Sequence, residues 1–254
     1  MTWVGHATLL VQIDGVNVLT DPQWSERAGP LSFAGPKRFT PPGIAFEDLP
    51  PVHAVVISHD HYDHLDVATV RRLAAAHDPR FLVPLGMKAW FADLGITNVD
   101  EIDWWEARAV RGVTLTLVPS HHWCQRTPWD TNRRLWGGWV LAGRARRVYF
   151  AGDTAYFDGF KEIAARLGPI DVAALPIGAY LPTVIMKPSH LDPGQALDAF
   201  ADLRARVMVP MHFGTFDLAE EPLEEPPRLL EQQARARAVA DRVWMLKHGE
   251  TRPF

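Results

Sequence analysis

One cysteine, Cys124, stands in 254 residues. No disulfide can form within the chain, so a fold stapled by cystines is excluded and a reducing compartment fits. No stretch approaches the roughly 20 apolar residues that a membrane span requires. The opening MTWVGHATLL has neither the basic stretch nor the cleavage site of a secretory leader. The expected location is the cytoplasm, with peripheral contact to a membrane left open. Basic excess is missing too. Twenty-six Lys and Arg against 30 Asp and Glu give a net charge of −4, which argues against a nucleic-acid partner, whose footprint is a strongly basic domain. Two short basic runs, 143–147 and 235–238, read as a hairpin turn and a solvated helix face.

What is present is an ordinary globular composition, 47% hydrophobic and 22% charged, in a chain long enough for a large core. The strings TLLVQI and VNVLT flank Asp14-Gly15, a strong hairpin signal. Residues 21–51 are rich in Pro and Gly, with Trp24, Phe33 and Phe39 among them, a long loop of the functional kind. Strands are expected at 53–58, 80–84, 113–120, 138–143, 147–153, 171–177, 205–210 and 242–246. Helices are expected at 66–77, 86–95, 157–167, 193–203 and 226–240. Early hairpins with βα alternation in both halves predict an α/β fold of two mixed sheets, face to face, with helices outside.

The chemistry concentrates in VVISHDHYDHLD, residues 55–66. Alternate side chains of an extended segment share a face, so His59 and His61 can point together. Asp63 and His64 follow after a short turn. This H-x-H-x-D-H set of nitrogens and oxygens suits zinc, iron or manganese. A closed structural zinc site favours thiolates, and the chain has one, so an open catalytic site is favoured. Other strand ends carry His121-His122, Asp153 in FAGDT beside Gly152, and His212 in VPMHFGT. Strand ends are where α/β folds keep their sites. Taken alone, Asp153 could equally cap a helix and His212 could be a core histidine. His53, His77 and His248 stand outside any constellation, and Cys124 reads as an inert buried thiol.

With these motifs in hand, the chain resembles the metallo-β-lactamase fold of binuclear metallohydrolases. WVGHATLLVQIDGVNVLTDP, GPKRF, HHWCQR, LWGGWV, AGDTAYF, LPIGAYLP and MHFGTF narrow the resemblance to bacterial relatives of N-acyl-phosphatidylethanolamine-hydrolysing phospholipase D. The resemblance implies one four-layer αβ/βα sandwich domain over residues 1–254. It implies two divalent cations, zinc foremost, with His59, His61 and His122 on one, Asp63, His64 and His212 on the other, and Asp153 between them. His122 is preferred to His121 because the family's ligand directly precedes an aromatic, here Trp123. His6 and Asp21 are expected to hydrogen-bond these ligands. A shared hydroxide oriented by Asp63 would attack phosphorus in line, with His190 giving the leaving alkoxide its proton. Trp123, Tyr180, Leu181 and Met186, with Trp24, Phe33 and Phe39, would form an apolar wall for acyl chains, or else pin the loops down. The resemblance also makes a homodimer reasonable. Relatives carry residues before the first strand, so an N-terminal membrane-contacting segment is not expected. A lactone, a cyclic phosphodiester or another ester is the alternative substrate, and a metal-dependent sensor without catalysis is the distant one.

Overall fold

The computed structural model describes residues 1–254. Its first sheet begins with β1 (Thr2–Gly5), β2 (Thr8–Ile13) and β3 (Val16–Thr20), antiparallel neighbours. Asp14 and Gly15 turn β2 into β3 with φ of 49° and 78°, the two-residue turn that their sequence predicts. The strands β4 (Ala54–Val56), β5 (Arg80–Pro84) and β6 (Val99–Ile102) add in parallel. They cross over through α1 (Val67–His77) and α2 (Lys88–Asp93). Asp66 starts α1, its carboxylate accepting from the Ala68 amide.

The second sheet is built in the same sense. An antiparallel run, β7 (Ala107–Val110), β8 (Val113–Val118), β9 (Gly138–Ala142) and β10 (Arg147–Phe150), is followed by the parallel strands β11 (Val172–Pro176) and β12 (Val207–Met211). Here α3 (Gly159–Leu167) and α5 (Pro193–Asp202) make the crossovers, α4 (Thr183–Met186) is one turn within a loop, and α6 (Glu225–Ala236) follows β12. Alternation along the strands sorts the core into layers. Leu9, Val11, Ala54, Val56 and Leu82 join Leu115, Trp139 and Tyr149 in one buried cluster between the sheets. Their neighbours Leu10, Val55, Ile57, Phe81 and Val83 face outward onto Val70, Leu73, Met87 and Phe91 of the first pair of helices and their approach. Phe160, Phe200 and Leu230 cover the second sheet. The result is an αβ/βα sandwich.

Several expectations are corrected. Residues 242–246 form no strand; a 3₁₀ turn at Ala240–Arg242 precedes a single bridge from Val243 to Met208. The chain cannot extend the pairing because the Leu246 amide folds back onto the Trp244 carbonyl. The last helix stops at Ala236, since Ala238 takes a left-handed φ of 55°. The strands β1, β6 and β7 were not expected at all, and each lies at a sheet edge. Trp139 is fully buried in the core, whereas Trp104 and Trp105 are only half-buried against it.

Candidate metal centre

Pairing makes β1, β3 and β4 point the same way in the first sheet, and β8, β10 and β12 in the second; the side chains beyond their ends meet at one edge of the sandwich. His6 follows β1, Asp21 follows β3, and His59 to His64 follow β4; His122 follows β8, Asp153 follows β10 and His212 follows β12. Three of these residues turn the chain in the left-handed region, His6 at φ 52°, Asp21 at 33° and His212 at 60°. Such backbone is costly for residues with side chains and persists where the surroundings enforce it. At Asp153 the preceding residue is a glycine: Gly152 has φ 61°, and a Cβ there would lie 2.4 Å from Ser58 Cβ.

The side chains converge. Ligand atoms of His59, His61 and His122 lie within 4.8 Å of one another, as do those of His6, Asp63, His64 and His212, and those of His122, Asp153 and His190. Of the adjacent pair, His122 is buried and His121 is exposed. Asp153 Oδ2 sits 3.3 Å from His64 Nε2, 3.2 Å from His212 Nε2 and 3.9 Å from His122 Nε2. Asp63 Oδ2 is 3.3 Å from His64 Nε2 and 3.4 Å from His212 Nε2.

Hydrogen bonds behind the cluster settle which nitrogen each ring presents. His122 Nδ1 donates to the Ser189 carbonyl at 2.9 Å, so Nε2 carries the lone pair. Ser58 Oγ gives its one proton to Asp21 Oδ2 at 2.5 Å and therefore accepts from His59 Nδ1 at 2.9 Å. His59 Nε2 is then a lone pair as well. Both lone pairs meet His61 Nδ1, at 2.9 and 3.3 Å, and a single proton there cannot serve two acceptors. His64 Nδ1 donates to Asp21 Oδ2 at 2.7 Å, which turns its Nε2 toward two carboxylates. Buried His64 Nε2, His212 Nε2 and Asp153 Oδ1 have no hydrogen-bond partner. Lone pairs and carboxylates directed at common points need cations between them, and this nitrogen-rich set with two carboxylates fits borderline divalent ions.

Protonation follows the same logic. Burial pushes the Asp153 and Asp63 carboxyls up, but His64 and His212 around them prevail and hold both well below the carboxylate range. Burial pushes the His64 and His212 imidazoles down; Asp153 and Asp63 outweigh it, raising His64 well above its ordinary value and His212 to about 9. His59 and His122 are held well below the ordinary value, first by burial. Without metal, protons on His64 and His212 therefore stand in for cations, and metal must displace them. Because the His212 value is raised, its contribution to the metal-free fold is complete below 6.5 and is lost as pH rises through 9. Metal uptake at pH 7 is expected to release about two protons per chain, with affinity climbing up to about pH 9. Calorimetric titration in buffers of different ionisation enthalpy measures this, and uptake without proton release would refute it.

The remaining residues singled out in the sequence fall as follows. His6 Nε2 donates to Asp63 Oδ2 at 2.9 Å, and burial keeps its ring neutral, at about 3. Asp21 accepts from His64 and from both the amide and the hydroxyl of Ser58. His190 Nδ1 lies 3.8 Å from Asp153 Oδ2, and burial pushes the ring down to about 4. Trp123 meets His61 edge to face at 4.5 Å. Tyr180 and Leu181 line a cavity of about 260 Å³ together with Lys187, His190 and Gln195; Met186 stands outside its wall and accepts the His190 amide through its carbonyl. Phe33 and Phe39 are exposed, whereas Trp24 is pinned by a bond from its indole to the Ile44 carbonyl. Cys124 is buried. His53, His77 and His248 each hydrogen-bond elsewhere. Sequence reasoning missed Ser58, whose signal was its position directly before His59. It also missed buried Asp60, which pairs with Arg134 at 2.7 Å and anchors the loop.

Comparison with known proteins identifies the family. A family model described as "Beta-lactamase superfamily domain" matches residues 16–213. N-acyl-phosphatidylethanolamine-hydrolyzing phospholipase D 1 of Caenorhabditis elegans is 44% identical over 89% of this chain and 67% of its own length. The mitochondrial protein of the same description from Saccharomyces cerevisiae is 34% identical over all of this chain, which spans only 55% of that relative. Among solved structures, a metallo hydrolase of the archaeon Ignicoccus hospitalis superposes with a TM-score of 0.70 at 27% identity, covering 98% of this chain and 95% of its own. Built on two face-to-face sheets with its histidines and aspartates gathered at one edge, the chain belongs to the metallo-β-lactamase superfamily.

Proposed function

We propose that the chain is a metal-dependent hydrolase of phosphodiesters, acting on a phospholipid of the N-acyl-phosphatidylethanolamine kind. Its cations, zinc foremost, are held by His59, His61 and His122 and by Asp63, His64 and His212, with Asp153 facing both. The observation that carries this reading is the convergence of lone pairs and unpartnered carboxylate and imidazole atoms at one buried point. When bound, divalent cations supply a water that ionises near neutral pH and a Lewis acid for a phosphoryl oxygen. The chain supplies position. Asp21 and Ser58 fix the rings of His64 and His59, and His6 fixes Asp63. His190, whose ring burial pushes down to about 4, lies 3.8 Å from Asp153 Oδ2 and lines the cavity, placed to pass a proton to the leaving alkoxide. Lys187 and Leu181, in the cavity that His190 lines, offer an anionic group and an alkyl chain their respective partners.

Lipid access is supported by where apolar side chains are exposed. The large ones are Leu31, Phe33, Phe39, Leu85, Trp129, Val184 and Ile185. All leave the C-terminal ends of β3, β5, β8 and β11, the edge that carries the metal residues. No helix is long and apolar enough to cross a membrane, so the proposed contact is peripheral. Burial of one such side chain contributes about 1.5–3 kcal/mol, so the pair Phe33→Ser and Ile185→Ser is expected to weaken cosedimentation with phospholipid vesicles by about tenfold or more. Turnover of a water-soluble diester should not change.

Substrate class is tested with chain stripped of metal and reloaded with zinc, iron or manganese. The expected result is hydrolysis of N-acyl-phosphatidylethanolamine in mixed micelles and of a bis-aryl phosphodiester, both lost on stripping. Turnover of a lactone with neither diester cleaved would replace this reading by the ester one, and full activity after stripping would end both.

A further inference from the structure

The loop that leaves β11 is held by a carboxylate from a distant part of the chain. Glu221, buried in the segment between β12 and α6, accepts three successive backbone amides. Those of Ala179 and Tyr180 meet Oε1 at 2.5 and 3.3 Å, and that of Leu181 meets Oε2 at 2.9 Å. Ala179 has a left-handed φ of 64°, a conformation costly for a residue with a side chain. Such a residue curves the chain so that neighbouring N–H groups face one concavity, an anion-binding nest. Here the anion is the chain's own. Two further bonds tie the same segments, from the Glu220 amide to the Leu181 carbonyl at 3.1 Å and from the Tyr180 hydroxyl to Glu225 Oε1 at 2.7 Å. The loop is also seated closely on the chain at His212, where a Cβ at Gly178 would lie 2.3 Å from the His212 carbonyl oxygen. Glu221 bonds none of the metal-facing side chains. Its effect falls on Tyr180 and Leu181, which form one wall of the cavity of about 260 Å³ that His190 and Lys187 also line.

We propose that Glu221 is a positioning residue: its carboxylate sets the Tyr180–Leu181 wall beside His190 and thereby how tightly an alkyl-bearing substrate is held. The clamp rests on the hydrogen bonds alone; the substrate it serves rests on the phosphodiester reading above. A carboxylate is hard to replace in this position. Bonds to an ionised acceptor are about twice as strong as neutral ones. A glutamine of the same length has one accepting oxygen, and its NH₂ group donates. At least one of the three amides would then meet a donor instead of an acceptor. The loop loses its enforced geometry, while the histidines and aspartates of the metal centre keep their own hydrogen bonds.

Metal-loaded wild type, Glu221→Gln and Glu221→Asp are compared by hydrogen exchange and by steady-state kinetics on N-acyl-phosphatidylethanolamine in mixed micelles. In Glu221→Gln the amides of Ala179, Tyr180 and Leu181 are expected to exchange about tenfold faster or more. KM should rise about tenfold while kcat changes less than about twofold, the form that a loss of uniform binding takes. A variant that merely unfolds in part loses kcat and leaves KM in place. Glu221→Asp keeps the charge on a side chain one methylene shorter and should fall between the two; it carries the test if glutamine prevents folding. Unchanged exchange at the three amides would overturn the clamp, and an unmoved KM, with or without a fall in kcat, would overturn the positioning role. If wild type cleaves a lactone and no diester, the phosphodiester reading fails, and the same split of KM from kcat is read on an alkyl-substituted lactone.

Discussion

Exchange of Asp153 for Asn is expected, on the two-cation reading proposed above, to reduce bound metal from two ions per chain to one or none and to abolish measurable hydrolysis. Asp153 Oδ2 is within 4 Å of nitrogens on His64, His212, His122 and His190, and the carboxylate is almost wholly buried. An amide of the same shape keeps the packing but removes the negative charge that these groups face. Breaking a buried charge pair by removing one partner costs about 3–5 kcal/mol, which corresponds to a loss of affinity of about a hundredfold to a few thousandfold. In the metal-free protein the same exchange removes the main force raising His64 and His212, so both should titrate lower, visible by NMR of the ring protons. Elemental analysis of the purified variant decides the matter: two ions retained per chain would show that Asp153 is not shared between the sites.

Gly152→Ala should be nearly as damaging by a different route. The left-handed φ of 61° opposes any side chain, at about 1–2 kcal/mol. The new methyl would also collide with Ser58 Cβ at 2.4 Å and Oγ at 2.8 Å, and forced overpacking costs about 1–3 kcal/mol more. Ser58 is the residue through which Asp21 orients His59, so the damage passes straight to a metal-facing ring. A fall in Tm of roughly 5–15 °C is expected by circular dichroism, together with weaker metal binding. Gly15→Ala separates the two causes: its φ is 78° but nothing lies within 4 Å of the added Cβ, so it should show only the backbone part. If both substitutions shift Tm equally, the contact with Ser58 is unimportant.

How much of this was legible in the sequence depends on where each residue lies. Interior strands such as β2, β4 and β11 announce themselves because burial on both faces demands apolar runs. The edge strands β6, VDEI, and β7, ARAV, carry exposed or half-exposed charges and give no such pattern. In the site, His59 and His61 could be joined by strand alternation alone, and the role of Gly152 was readable from its place before Asp153. The partnership of His6 with Asp63, 57 positions apart, follows from strand order and could be expected only through family resemblance. Left-handed backbone at His6, Asp21 and His212 was invisible, because such conformations are ordinarily signalled by glycine. The burial of His190, which pushes its ring down to about 4, is encoded by no local pattern.

The division of the metal residues between the sheets has a mechanical consequence. His59, His61, Asp63 and His64 belong to the first sheet's end, and His122, Asp153 and His212 to the second's. An ion held by His59, His61 and His122 is then a rivet through both leaves, and it resists any sliding of one past the other. A cofactor bound there would therefore also clamp the two halves in register. Chelation should therefore loosen the mouth of the sandwich before it loosens the middle.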